Sequence, residues 1–209
     1  MVIRAVMFDF GGVISSSPFE AFSRFEAERG LPENFIRTVN ATDPDTNAWA
    51  RLERGEIDVD TFGAAWATEA RALGGHQVDG RDILQRLAGD IRPQMVRAVE
   101  QCAGSFKTAC LTNNFSMADA VVSEEVASIY ALFDAVLESK SLGVRKPDPR
   151  FYELACDALD VEPAESVFLD DLGVNLKPAR ALGMHTIKVI DPDAALAELG
   201  ALLDLKFTG

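Results

Sequence analysis

The chain has 209 residues, 48% of them hydrophobic and 25% charged, the balance of a folded globular protein and not of a disordered one. That length suits one domain of ordinary size with a modest insertion, and no apolar run approaches what a bilayer span requires. The formal charge of −13 argues against nucleic acid as a partner, since phosphate contacts need clustered Lys and Arg.

The first residues, Met1-Val2-Ile3-Arg4, lead straight into a strand-like segment without signal-peptide architecture, so a cytoplasmic location is the expectation. Residues 4–9 form a short apolar run ending in Asp9 and followed by Gly11-Gly12. This is the pattern of a buried strand that delivers a carboxylate to a loop at its C-terminal end. From about residue 15 to residue 92 the pattern turns helical, with candidate helices at 18–29, 33–39, 49–54, 60–72 and 80–87. Asp60-Thr61 offers a start for the fourth, and Gly30 and Gly74-Gly75 offer stops. Four more apolar runs follow, at 106–111, 133–137, 166–169 and 186–190. They end respectively at Thr112-Asn113-Asn114, Glu138-Ser139, Asp170-Asp171 and Asp191-Pro192. Helical patterns at 93–103, 149–159, 176–182 and 194–203 lie between and after them.

Strands alternating with helices predict an α/β fold: a doubly wound, Rossmann-like parallel sheet covered on both faces. Residues 1–14 and 93–209 form its core, and residues 15–92 form a small inserted helical cap. Ligands of such sheets bind outside the carboxyl ends of the strands, where all these polar clusters fall. An insertion directly after the first strand is therefore expected to act as a lid over that edge. Its aromatic residues are Phe19, Phe22, Phe25, Phe35, Trp49, Phe62 and Trp66. They allow a lipid-phosphate pocket, but the helical spacing of the first three reads better as a packed core face. Cys102, Cys110 and Cys156 are odd in number and lack metal or redox spacing, so they read as core thiols. With His76 and His185 as the two histidines, a histidine-rich metal site has little to build from, and His185 reads as structural.

The strand-end clusters supply a carboxylate at Asp9, a hydroxyl and an amide at Thr112 and Asn113, an amine at Lys146 and a carboxylate pair at Asp170 and Asp171. Phosphoryl transfer needs this inventory: a nucleophile, a metal ion held by hard oxygens, and donors for the phosphoryl oxygens. Asp9 and one acid of the late pair can hold Mg²⁺, and Lys146 can offset charge on the nucleophile and the transferring group. Amides of the Gly11-Gly12 turn and of the loop at 112–114 can cradle phosphate oxygens. Singly, each cluster has an ordinary explanation as a turn residue, a loop charge or a helix cap. Together, in this order and each at a strand end, they point to one site.

Four segments also carry a resemblance: Phe8-Asp9-Phe10-Gly11-Gly12-Val13, Leu111-Thr112-Asn113-Asn114, Gly143-Val144-Arg145-Lys146-Pro147-Asp148-Pro149 and Val167-Phe168-Leu169-Asp170-Asp171. They resemble the four ordered motifs of phosphatases of the haloacid dehalogenase (HAD) superfamily. The likeness covers essentially the whole chain and is greater still to the N-terminal phosphatase domain of soluble epoxide hydrolases and to similar domains of acyl-CoA dehydrogenase-type proteins. It implies a Mg²⁺-dependent phosphatase with a small phosphorylated metabolite as substrate. It further implies Asp9 as nucleophile and metal ligand, the Gly11 carbonyl and Asp171 as further metal ligands, and Asp170 and Asn175 as holders of metal-bound water. Thr112, Asn113 and Lys146 are implied as phosphate binders, with Gly12 beside them through its turn.

One departure matters. The phosphatases it resembles usually carry a second Asp two residues after the nucleophile, as general acid for the leaving group and base for water, and here that position is Gly11, as in some members that look like active sugar-phosphate phosphatases. Positioned acid–base catalysis contributes about 10²–10⁴-fold. A cap residue or water can take over the role, the substrate can have a good leaving group, or the protein can be a weak relative that binds phospho-ligands. The namesake dehalogenation also uses an Asp nucleophile, but it needs no metal and dehalogenases lack the late acid pair. A phospho-accepting signalling domain has a similar inventory in the reverse order.

Overall fold

A computed structural model of the chain describes residues 2–85, 87, 89–115 and 123–207. Five parallel strands form one sheet: β1 (Ala5–Phe8), β2 (Lys107–Thr112), β3 (Ala135–Glu138), β4 (Ser166–Asp170) and β5 (His185–Lys188). Their order across the sheet is β3-β2-β1-β4-β5, with Phe8 opposite Cys110 on one side and Leu169 on the other. All four residues of β1 are buried, the reason its sequence is continuously apolar and not alternating. The order reverses direction at β1, so a crevice opens between the carboxyl ends of β1 and β4. Asp9 and the Asp170-Asp171 pair stand on either side of it.

Helices α1 (Pro18–Arg29), α2 (Phe35–Ala41), α3 (Ala48–Glu53), α4 (Val59–Gly74) and α5 (Gly80–Leu84) follow β1. The remainder are α6 (Pro93–Ala103), α7 (Glu124–Tyr130), α8 (Ser139–Leu142), α9 (Pro149–Leu159), α10 (Gly173–Ala181) and α11 (Pro192–Leu203). Met95, Val99, Ile129 and Leu199 bring α6, α7 and α11 onto one face of the sheet, against Val6, Phe8 and Leu169. Phe151, Tyr152, Ala155 and Leu176 bring α9 and α10 onto the other, against Met7, Leu111 and Phe168. Helices α1–α5 share a separate apolar cluster built on Phe22, Phe25, Phe35, Phe62 and Trp66, with Phe19 and Trp49 partly buried against it. These aromatic side chains therefore make a packed core, and Trp66 also donates its indole N–H to Asn40 Oδ1 at 2.8 Å. The three cysteines are free and buried.

Several boundaries differ from the expectation. The fourth helix starts at Val59, because the Asp58 carboxylate caps it by accepting the Thr61 amide at 2.7 Å. Helix α10 starts three residues earlier than expected and holds Pro178 in its interior. Its first turn is fixed by the Asn175 amide bonding to Leu172 O at 3.0 Å, right after the acid pair. Helices α7 and α8 were not anticipated. The first is seven residues long and capped by Ser123; the second is a single turn stopped by Gly143 at φ 67°. Of the expected helix at 80–87, residue 86 lies outside the described residues. None of the helices, among the described residues, is long and apolar enough to cross a membrane.

Trp66 is fully buried at the centre of the five-helix cluster. Trp66→Ala should lower unfolding stability by about 3–5 kcal/mol, read from chemical denaturation. A loss below about 1 kcal/mol would show that this cluster contributes little to the cooperative fold.

Candidate active site

The amide of Asp9 continues the sheet pairing by donating to Leu169 O at 2.9 Å, so its side chain leaves the strand end at a fixed place. Asp9 Oδ1 accepts the Phe10 amide at 2.7 Å, and residues Phe10–Ile14 make a single tight turn closed by the Ser15 amide on Phe10 O. Gly12 is demanded twice in that turn. Its φ is +83°, and a Cβ there would lie 2.3 Å from Asp171 Oδ2. Gly11 is different: at φ −71° and ψ 125° its backbone suits any residue, and a Cβ would meet nothing nearer than Pro18 Cδ at 3.9 Å. The glycine at position 11 thus leaves space beside Asp9 that the fold does not require to be empty.

Lys146 reaches this edge from the loop after α8 and is 1% exposed. Its Nζ lies 2.9 Å from Asp9 Oδ1 and 2.8 Å from Asp170 Oδ2. Asp170 is fully buried and also accepts the Asn175 amide on both oxygens, at 3.1 and 3.0 Å, and the Leu172 N–H at 2.8 Å. Tyr152 in turn donates to Asn175 O at 2.7 Å. Asp170 is therefore saturated by donors and anchors Lys146 to the start of α10. Asp171 is less enclosed and accepts the Ser17 hydroxyl at 3.3 Å.

Oxygen atoms of Asp9, Asp170 and Asp171 lie within 4.8 Å of one another. Lys146 is the one cation in ion-pair distance of them among the described residues. Three carboxylates and one ammonium leave two negative charges, which a divalent cation would neutralise. The donors are hard oxygens, the set that Mg²⁺ prefers. Electrostatics agree with this fit. Burial raises the Asp9 carboxyl well above the ordinary carboxylate range; Lys146 opposes the rise, and Asp170 and Asp171 add to it. Burial and the neighbouring Asp170 push Asp171 up to about 6, with Lys146 pulling back. Burial pushes the Lys146 ammonium down, but Asp170 and Asp9 outweigh it, so its acidity falls and it stays charged.

Thr112 ends β2, next to β1, and its side chain is buried there. The side chain of Asn113 is committed to Lys146: Oδ1 accepts the Lys146 amide and Nδ2 donates to the Lys146 carbonyl, both at 2.9 Å. The structure thus joins Asp9, Lys146, Asp170 and Asn175 in one chain of contacts, sets Gly12 against Asp171, and places Thr112 and Asn113 one strand away. Ser17, Tyr152 and Arg145 are neighbours that sequence reasoning did not pick out, and Glu53, which the sequence places with Asp58 near the lid edge but ties to no chemistry, joins them through Arg145 and Asn113. Arg145 directly precedes Lys146, a signal present in the sequence; Ser17 and Tyr152 are brought in by tertiary packing.

The model of the haloacid dehalogenase-like hydrolase family matches residues 3–183. The chain belongs to this family. Mouse acyl-CoA dehydrogenase family member 10 is 36% identical over 96% of the chain, which covers 19% of that protein. Pig bifunctional epoxide hydrolase 2 is 32% identical over 95% of the chain and 38% of its own length. The chain therefore spans less than half of these HAD relatives. A sesquiterpene phosphatase of Aspergillus oryzae is 26% identical over 96% of both chains. Among solved structures, a HAD-like hydrolase from Porphyromonas gingivalis superposes with a TM-score of 0.68 over 99% of this chain and all of that one, at 19% identity. A HAD-family enzyme of Bacteroides thetaiotaomicron, in complex with magnesium and inorganic phosphate, gives 0.58 over 89% and 93% of the two chains, at 18% identity.

Because Asp171 is raised from 3.8 to about 6, the folded HAD chain binds more protons than the unfolded one in that window, and its stability falls as pH rises through it. In metal-free protein, Asp171→Asn should gain on the order of 2 kcal/mol at pH 7 and nothing near pH 4, measured by denaturation. An equal effect at both pH values would contradict the burial of this carboxylate. Gly12→Ala should lower Tm sharply, whereas Gly11→Ala should leave it within about 2 °C, corresponding to roughly 0.5 kcal/mol. Equal losses would show that the two glycines are not distinguished as their geometry requires.

Proposed function

We propose that this HAD hydrolase is a Mg²⁺-dependent phosphatase that hydrolyses a small phosphomonoester through an aspartyl-phosphate on Asp9. The convergence of Asp9, Asp170 and Asp171 beside a buried, charged Lys146 carries the reading. The sesquiterpene phosphatase relative and the neighbour crystallised with magnesium and phosphate support it. Asp9, Asp171 and the Gly11 carbonyl would hold Mg²⁺, which would screen the carboxylate from the incoming phosphate.

The residues divide the work. Oδ1 of Asp9 is held by the Phe10 amide and Lys146, so Oδ2 is the oxygen left for attack. A lone pair of the carboxylate forms a bond to phosphorus while the bond from phosphorus to the leaving oxygen breaks, and the electron pair departs with that oxygen. Water then attacks the acyl phosphate at phosphorus, which releases phosphate and restores Asp9. Lys146 keeps its proton throughout and offsets charge on the transferring group. Thr112 offers its hydroxyl to a phosphoryl oxygen, and amides of the Gly12 turn and of Asn113 can serve the others.

Gly11 shapes the substrate class. With no acid at that position, the leaving oxygen has to depart with little protonation, which favours sugar 1-phosphates, acyl phosphates or aryl phosphates. The space beside Gly11, bounded by Pro18, suits a leaving group that occupies the volume of the missing side chain. A dehalogenase reading would leave the saturated Asp170 and its partner Asp171 without a task.

Hydrolysis of p-nitrophenyl phosphate should require Mg²⁺ and vanish in Asp9→Asn. Metal-independent turnover, or dechlorination of 2-chloropropionate, would sink the phosphatase reading. Across a series of aryl and alkyl phosphates, kcat/KM should fall steeply as the leaving-group pKa rises. Gly11→Asp, which the backbone accommodates, should flatten that dependence and speed alkyl phosphates by about 10²-fold or more. A dependence that is already flat in the native chain would argue that another group supplies the proton.

A further inference from the structure

The residue before the buried lysine is tied to the helical group. Arg145 Nε lies 2.6 Å from Glu53 Oε2, a close ion pair without hydrogen-bond alignment at Nε, and Arg145 Nη1 donates to Pro44 O at 2.8 Å. Glu53 is the last residue of α3 and is 7% exposed, so its charge needs fixed partners. Its Oε1 accepts the Trp49 indole N–H at 2.8 Å. The Trp49 ring packs edge-on against Phe22 and Phe62, which locks the carboxylate to the core of the five helices. Ser139 donates to the Glu53 carbonyl at 2.5 Å, and a Cβ on Gly55 would lie 2.9 Å from Lys140 O, so the two backbones touch here.

The second partner of Glu53 Oε2 is Asn113 Nδ2, at 3.3 Å. Asn113 is the residue that grips Lys146 by both its amide and its carbonyl. One carboxylate therefore restrains both the residue preceding the lysine and the side chain that clamps the lysine backbone. The ammonium has to sit within hydrogen-bond distance of Asp9 and Asp170 at once, at the end of a four-carbon stem. Only a fixed backbone can place it there.

We infer that Glu53 is a positioning residue for Lys146, acting through Arg145 and Asn113, so that the helical group helps to fix the lysine in place. The catalytic consequence rests on the phosphatase reading; the structural one does not. An insertion after the first strand would then do more than cover the site, because it braces the lysine that pairs with Asp9. Glu53 need not touch substrate for this, and its effect should be the same whatever the leaving group.

The test is a ¹H–¹⁵N spectrum of lysine ammonium groups, in which the buried Lys146 should give a resonance of its own, assigned by its loss in Lys146→Met. Circular dichroism checks that each variant is folded. In Glu53→Ala and Arg145→Gln the resonance should shift or broaden. The kcat for p-nitrophenyl phosphate and for phenyl phosphate should fall by a common factor of about 10–100, with KM changed by less than about threefold. An unchanged resonance in the folded variants overturns the proposal, as does a loss that differs between the two substrates, which would place Glu53 on the leaving group. If Glu53→Ala does not fold, Arg145→Gln carries the same readouts. A resonance that moves in a protein without Mg²⁺-dependent turnover would uphold the positioning role and refute the phosphatase reading.

Discussion

A single buried ammonium holds the site together. Lys146 lies between Asp9 and Asp170, at 2.9 and 2.8 Å, and removing it would leave carboxylates in an interior that cannot solvate them. Such a network is worth having only if every member is satisfied, and here the surroundings are arranged to that end. Asn175 and the Leu172 amide fill the remaining acceptor sites of Asp170, Tyr152 holds the Asn175 carbonyl, and Asn113 holds the lysine backbone. The result is a rigid group whose remaining negative charge faces the crevice between β1 and β4, where a cation and an anionic phosphoryl group would meet.

The sheet explains why this group can exist. Parallel strands buried on both faces deliver side chains to one edge with little freedom, and the reversal of strand order at β1 opens that edge to a ligand. Asp9 and Asp171 come from strands that are direct neighbours, and Gly12 allows the turn after Asp9 to pass against Asp171 without a clash. Desolvation raises Asp9 and Asp171 above the ordinary carboxylate range, so on the Mg²⁺ reading a bound cation would take the place of protons.

The contrast between Gly11 and Gly12 separates a structural requirement from a functional choice. Position 12 has a positive φ and a carboxylate within the reach of any Cβ, so the fold requires glycine. Position 11 has neither constraint. Its glycine is not demanded by the turn, and on the phosphatase reading it is the position that would shape the substrate class.

Much of this was legible in the sequence. Short apolar runs ending in polar clusters marked all five strands, most plainly β1 and β4, which are buried throughout and so show no alternation. The order of Asp9, Thr112, Lys146 and Asp170-Asp171 along the chain announced the inventory of the site, although Lys146 arrives from the loop after α8 and not from a strand end. Helices α1, α6 and α9 were read to the residue, since each opens with proline at its first position and α1 closes with glycine. The single turn of α8 and the short α7 escaped, since neither is long enough to show a period. Tertiary structure alone decided the rest. That Asp170 is saturated while Asp171 is open, that Asn113 spends its amide on Lys146, and that Glu53 reaches the same turn from sixty residues away are facts of packing. Sequence patterns report which face of an element is apolar. They do not report which polar groups meet across elements, because that depends on distances set only when the whole core has closed.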